Sequence, residues 1–164
     1  MIHVVLYEPE IPQNTGNIIR SCAAFHAKLH LIEPLGFYLD EAHLRRAGMD
    51  YRDLVNVEVH SSWEEFVSGH PGEYYFTTRY GDKVPDSFSY SMEQEIYFVF
   101  GKESTGIPKE ILRANLERCI RIPMAEDARC LNVSNTVAIV LYEAVRQMNY
   151  EGLSAFEQLK PGVL

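Results

Sequence analysis

Apolar residues along the chain fall into short, nearly unbroken runs, separated by longer stretches in which they return every three or four positions. The runs predict strands at Ile2 to Tyr7, Lys28 to Ile32, Val55 to His60, Glu73 to Thr78, Ile96 to Gly101 and Cys119 to Ile122. Runs apolar at both alternating positions suit parallel strands covered on both faces. The intervening stretches predict helices at Asn14 to Ala27, from Asp40 to a stop at Gly48, at Ser62 to Val67 and at Pro108 to Asn115. Ser62 and Glu65 stand at capping-box spacing, and Pro108 sits where a first helical turn needs no amide hydrogen. A last helix, Val133 to Tyr150, aligns Val133, Val137, Leu141, Ala144, Val145 and Met148 on one stripe, with Gly152 as its stop. The alternation predicts an α/β fold: a mostly parallel sheet flanked by helices on both faces, in a single domain spanning residues 1–164. The longest irregular stretch, Arg79 to Glu95, reads as a mobile loop.

Composition narrows the class. A chain of 164 residues, 46% hydrophobic and 23% charged, buries roughly 70% of its unfolded surface and reads as a soluble globular protein. No run reaches membrane-spanning length, and the N-terminal strand has no secretory-signal character, so a cytoplasmic location is expected. Cys22, Cys119 and Cys130 form an odd set without paired spacing, which predicts reduced thiols. The six histidines and the carboxylates show no metal-ligand spacing and are read as surface or packing residues. A net charge of −8 argues against a uniformly basic nucleic-acid surface. Eight acidic residues lie between Glu58 and Glu95, however, while Arg20, Arg45, Arg46, Arg52, Arg113, Arg118, Arg121 and Arg129 lie outside and can gather elsewhere.

Three segments carry candidate chemistry. Asn14-Thr-Gly-Asn-Ile-Ile-Arg20 follows the first strand, where open α/β sheets bind ligands, with Asn14 as the expected helix cap. Phe100-Gly-Lys-Glu-Ser-Thr-Gly106 spaces two glycines as a P-loop does, but Ile107 and Pro108 stand where Lys and Ser/Thr are required, so a nucleoside-triphosphate loop is excluded. No G-x-G-x-x-G follows strand one, so neither a dinucleotide-binding Rossmann domain nor the usual glycine-rich methyltransferase loop is indicated. Ile122-Pro-Met124 and Leu131-Asn-Val-Ser-Asn135 frame the third segment, an exit from a strand and an entry to the last helix. Taken singly, each is also explained as a turn or a cap.

Together, in this order, the three segments resemble the signature motifs of the SPOUT RNA 2'-O-ribose methyltransferases. Leu6-Tyr-Glu-Pro-Glu-Ile-Pro12, Ile32-Glu-Pro-Leu-Gly-Phe37 and Leu44-Arg-Arg-Ala-Gly-Met-Asp-Tyr51 are similar to the TrmL (YibK, CspR) branch. The resemblance runs from residue 2 to Tyr150. It implies a C-terminal deep trefoil knot, an exception to unknotted topology. It implies S-adenosyl-L-methionine as cofactor, S-adenosyl-L-homocysteine as product, and no metal. Cofactor contacts map to Thr77, Gly101, Ile122, Met124, Cys130 and Leu131. Cys130 stands where many relatives have Ser, and a thiol is the weaker hydrogen-bond partner; a nucleophilic Cys130, as in base methylation, is the alternative. Catalytic roles map to Arg20, Asn17 and Glu103, and substrate-RNA contacts to Arg20, Tyr142 and Ser134. A guanidinium holds its proton at neutral pH, so the general-base role assigned to the Arg20 position gives way to electrostatic stabilisation of a developing alkoxide. The implied substrate is the wobble nucleotide 34, cytidine or uridine, of leucine tRNAs, presented on the anticodon stem-loop to a homodimer. Another tRNA or rRNA ribose, or a non-catalytic knotted RNA-binding protein, are the alternatives.

Overall fold

The computed structural model of the chain describes residues 1–38 and 57–156. Six strands, β1 (Ile2–Tyr7), β2 (Lys28–Ile32), β3 (Val57–His60), β4 (Glu73–Thr77), β5 (Ile96–Gly101) and β6 (Cys119–Ile120), form one parallel sheet in the order β3-β2-β1-β5-β4-β6. Among the described residues four α-helices pack on it: α1 (Pro12–Ala24), α2 (Trp63–Gly69), α3 (Lys109–Arg113) and α4 (Val133–Gln147). The helix expected from Asp40 and the Leu44–Tyr51 motif, with Arg45, Arg46 and Arg52, lie outside the described residues.

Strand parity explains the two faces. Val4 and Leu6 of β1, Leu29 and Leu31 of β2, and Phe98 and Phe100 of β5 join one core with Ile18, Ile19 and Cys22 of α1 and Val137, Val140, Leu141 and Ala144 of α4. Their neighbours Val5, Ile32, Tyr97 and Val99 point the other way, to Phe66 of α2, Leu112 of α3 and Ile107 just before α3. Successive side chains of a strand face opposite sides, so strands apolar at every position need two covers. Among the described residues α1 and α4 supply one, α2 and α3 the other.

Helix ends depart from the expected positions. Helix α1 begins at Pro12, with Ile11 as its cap and no side-chain cap bond, so Asn14 is not the cap but lies inside the first turn. Proline presets the helical φ and lacks the amide that this position would leave unpaired. Helix α4 ends at Gln147, before Gly152, because Asn149 and Tyr150 adopt φ of 53° and 56°. The amide of Tyr150 donates to the Val145 carbonyl at 2.8 Å and that of Asn149 to Arg146 at 3.1 Å, a Schellman closure with Asn in the left-handed position. A β-branched side chain tolerates that conformation poorly, so Asn149→Val is expected to cost about 1–2 kcal/mol, read as a lowered urea midpoint at unchanged slope.

The stretch Arg79 to Glu95 is anchored rather than loose. Lys83 pairs with Ile120 beside β6, its ammonium meets Glu117 at 2.5 Å, and residues Pro85–Ser87 make a 3₁₀ turn. Buried Tyr90 donates its hydroxyl to the Pro85 carbonyl at 2.8 Å, and its amide donates to Gln147 of α4 at 3.0 Å.

Of the histidines, read as surface or packing residues, His3, His30 and His60 are of the packing kind, buried on adjacent strands. Burial, reinforced by the neighbouring imidazoles, drives His30 down to about 3, and burial lowers His3 and His60 as well, so these rings are neutral in the folded chain at neutral pH.

Candidate functional site

Strand order reverses at β1, whose neighbours β2 and β5 lead to opposite edges. Ligands of open α/β sheets lie beyond the carboxyl ends of the strands at such a point. Three segments meet there: the turn from β1 into α1, the loop leaving β5, and the connection from β6 to α4.

Gly101 closes β5 opposite Tyr7 and turns its backbone away at φ 102°. A Cβ there would stand 2.6 Å from the Tyr7 carbonyl oxygen, so only glycine lets the two chains approach. The loop that follows is laced to the β1 exit. Lys102 places its ammonium 2.6 Å from Glu8 Oε2, and that hydrogen bond lifts the lysine above its ordinary range. Glu10 accepts from the Ser104 amide and hydroxyl, each at 2.8 Å, and both bonds hold its carboxyl below the usual range.

Glu103 gathers the entrance to α1. Its carboxylate accepts from the amides of Glu10 and Ile11, at 3.0 and 3.2 Å, and from Asn14 Nδ2 at 3.1 Å. Asn14 in turn accepts from Asn132 Nδ2 at 2.9 Å. Asn132 caps α4, its oxygen accepting from the Ser134 amide at 2.9 Å and hydroxyl at 2.6 Å. One polar chain, Glu103–Asn14–Asn132–Ser134, therefore ties together residues 89 and 118 positions apart.

These ties wall a cavity of about 540 Å³, within the usual size range of small-molecule sites. Thr77, Gly101, Ile122, Met124, Cys130 and Leu131, the expected cofactor contacts, all line it, as does Glu103. Thr77 Oγ1 is buried with no hydrogen-bond partner among the described residues, so its wall suits a ligand that brings a polar group. Phe100, Ile107 and Val133 add apolar surface. S-adenosyl-L-methionine, with a flat base and polar ends, fits this mixture of an orphaned hydroxyl, exposed backbone and apolar wall.

The other expected site residues lie elsewhere. Asn17 and Arg20 stand on the exposed face of α1 and do not line the cavity of their own chain. Ser134 is buried at the start of α4, one bond from the wall, and Tyr142 is exposed further along α4, its hydroxyl accepting from that of Tyr150 at 3.3 Å. The arginines gather only in part: exposed Arg121 lines the cavity, whereas half-buried Arg118 is engaged by Glu73 and by the Tyr75 hydroxyl. Sequence reasoning missed Arg79 and Tyr80, which line the cavity directly after β4, with the guanidinium 5.0 Å from the Tyr80 ring centre. Their signal was position: the carboxyl end of a parallel strand. It also missed Asn14 as the hinge of the polar chain, since a cap was sufficient local reason for an Asn.

Comparison with known proteins adds the chemistry of related chains. Residues 1–142 match the SpoU rRNA Methylase family. A protein from Burkholderia cenocepacia (strain HI2424), named tRNA (cytidine(34)-2'-O)-methyltransferase, is 48% identical over 157 residues, covering 93% of this chain and 99% of its own. A solved structure presented as "Structural insights into the 2-OH methylation of C/U34 on tRNA" superposes with a TM-score of 0.82 at 39% identity, over 92% of this chain and 97% of the other. The SpoU methyltransferase AviRb from Streptomyces viridochromogenes, solved with the cofactor AdoMet, gives a TM-score of 0.76 at 27% identity, over 92% of this chain and 61% of its own.

Proposed function

The chain belongs to the SpoU rRNA Methylase family, and on that premise we propose that it methylates the ribose 2'-hydroxyl of nucleotide 34, cytidine or uridine, in leucine tRNAs, using S-adenosyl-L-methionine. The observation that carries the reading is the convergence of three distant motifs on one cavity beside the orphaned Thr77 hydroxyl. The names borne by the Burkholderia cenocepacia relative and the C/U34 structure support the nucleotide, and the AdoMet-bound relative supports the cofactor.

Bound cofactor supplies an electrophilic methyl group. The protein's part is placement and charge. Thr77 offers its hydroxyl, the backbone of Gly101, Ile122, Met124, Cys130 and Leu131 offers amides and carbonyls, and Glu103 keeps the α1 entrance in register with the Gly101 loop. Arg20 grips the phosphate next to the acceptor ribose and stabilises the alkoxide as the 2'-hydroxyl proton leaves. Arg79 and Arg121 stand at the same cavity as further phosphate ligands, and the exposed Tyr80 and Tyr142 present rings on which a splayed base stacks. Methyl transfer of this kind needs no metal.

Arg20 and Asn17 sit away from their own cavity, which supports a homodimer in which each α1 completes the partner's site. Ile11 before α1 and Ile139 on α4 are exposed apolar side chains suited to an isologous interface built on these helices. The deep trefoil knot belongs to the same reading. Its support is that the 121–132 segment leaves β6 bonded to Lys83 on one side and ends with Asn132 bonded to Asn14 on the other.

The test is to incubate the purified protein with methyl-labelled cofactor and total tRNA from cells lacking it, and to map the modified ribose. One methyl group at nucleotide 34 of leucine isoacceptors is expected, with binding that weakens steeply as salt rises. Label at another ribose would move the proposal to a different RNA site, and cofactor binding without transfer to any RNA would leave a binding protein.

A further inference from the structure

The face of the sheet covered by α2 and α3 holds a second constellation that the methyl-transfer chemistry does not use. His30 on β2, Glu58 and His60 on β3, and His70 after α2 bring one donor atom each within 4.8 Å of one another. His30 Nδ1 lies 3.0 Å from His60 Nε2 and 3.6 Å from Glu58 Oε2, which is 4.0 Å from His60 Nε2 and 3.9 Å from His70 Nε2. Strand register makes the set: His30 pairs with Glu58, and Ile32 with His60, on adjacent parallel strands.

Hydrogen-bond bookkeeping shows what this arrangement requires. His3 Nε2 lies 2.6 Å from Glu95 Oε2, and a carboxylate only accepts, so that nitrogen carries a hydrogen. His3 Nδ1 then accepts from His30 Nε2 at 2.9 Å, which leaves His30 Nδ1 as a bare lone pair facing the cluster. His70 Nδ1 donates to the Phe66 carbonyl at 2.8 Å, which leaves His70 Nε2 bare toward Glu58. Two imidazole lone pairs and a carboxylate thus face one point, and a single hydrogen on His60 Nε2 satisfies only one of them. In the tautomer with its hydrogen on Nδ1, which faces Glu65 Oε2 at 3.7 Å, His60 would present Nε2 as a third lone pair.

We propose that His30, Glu58, His60 and His70 form a zinc site, a closed structural centre that staples β2 and β3 to the end of α2. Three imidazoles and one carboxylate are borderline donors that suit Zn²⁺ better than an oxygen-seeking cation. Tetrahedral zinc with bonds of about 2.0–2.1 Å sets its ligands about 3.3 Å apart, so separations that run from 3.0 Å to at most 4.8 Å must close or open by a few tenths of an ångström to about 1.5 Å, which rotation of the half-exposed Glu58 and of His70 supplies. The outer partners are in place: His3 with Glu95 behind His30, and the Phe66 carbonyl behind His70, each fixing the tautomer that presents a lone pair inward. Glu58 is about half exposed, which gives a metal its way in from solvent. With four protein ligands the centre has no open position for substrate, and none of its ligands lines the cofactor cavity.

Titrating the untagged full-length chain, stripped with a chelator, with zinc chloride should show one zinc per chain by calorimetry and a Tm raised by several degrees. Cobalt should give a tetrahedral visible spectrum with no thiolate charge-transfer band, since no cysteine belongs to the set. Glu58→Gln and His70→Gln, at the two more accessible ligands, should each weaken zinc binding by at least about 10–100-fold and remove the Tm rise, while the zinc-free Tm stays near that of the parent. Methyl transfer by the stripped protein at a temperature where it is folded serves as the control that separates this centre from the cofactor site. Absence of saturable zinc binding, binding untouched by both substitutions, or a cobalt spectrum with sulfur character would each overturn the assignment.

Discussion

Gly101→Ala is expected to lower Tm by about 5–20 °C and to weaken cofactor binding by at least about 100-fold. Two costs add. At φ 102° an alanine is strained, and its methyl group would stand 2.6 Å from the Tyr7 carbonyl oxygen and 3.3 Å from the Tyr7 amide nitrogen. These neighbours are backbone atoms of the central strand and cannot swing aside. Strain of about 1–2 kcal/mol and overpacking of about 1–3 kcal/mol consume a large part of a domain's total stability of about 5–15 kcal/mol. Relief comes only by parting β5 from β1 at the cavity floor, which displaces the Gly101 loop that Lys102, Glu103 and Ser104 hold against the β1 exit. Calorimetric titration with S-adenosyl-L-homocysteine alongside thermal melting checks both effects. A melting point within about 2 °C of the parent, with unchanged affinity, would show that the close approach is not needed.

Arg20→Lys is expected to reduce kcat by about 10²–10³-fold while leaving cofactor affinity unchanged. Lysine keeps the charge but loses the planar fork that, in the role proposed for Arg20, holds a phosphate in two bonds and stabilises a growing alkoxide from a fixed direction. Arg20 lies on the exposed face of α1, away from its own cavity, so the substitution leaves the cofactor walls intact. Single-turnover methylation with saturating tRNA separates the chemical step from RNA binding. Full turnover by the lysine variant with normal RNA affinity would sink the role given to Arg20. Mixed dimers supply a further arm: Arg20→Ala subunits combined with Gly101→Ala subunits contain one intact composite site per pair if the arginine serves the partner's cavity. They should recover activity that neither variant shows alone.

The sheet was readable because its strands are apolar on both faces; β1, β2 and β5 begin and end where the runs of apolar residues do. Helix ends were less readable, since several residues near each end offer competing local signals and, at α1, bonds to distant residues draw one of them away. Asn14 has the chemistry of a cap, yet Pro12 starts the helix earlier and Asn14 is drawn to Glu103 and Asn132 instead. Asn149 stops α4 through a left-handed backbone that asparagine tolerates, a weaker mark in a sequence than Gly152. The cavity residues from Thr77 to Leu131 came from family resemblance, because no local rule joins segments so far apart. The histidine set was invisible for the same reason: His30, His60 and His70 become neighbours only through the register of β2 against β3 and the return of the chain after α2.

The polar thread from Glu103 through Asn14 and Asn132 to Ser134 bears on how the protein is made. Its last two members are translated after nearly everything else that shapes the pocket, and until they are threaded home the entrance of α1 has only half of its anchorage. A nascent chain that has emerged only as far as β5 thus has the floor of the pocket without its far wall. On the proposed reading, the full enclosure for the methyl donor is therefore completed only late in synthesis, when residues 122–136 join the wall.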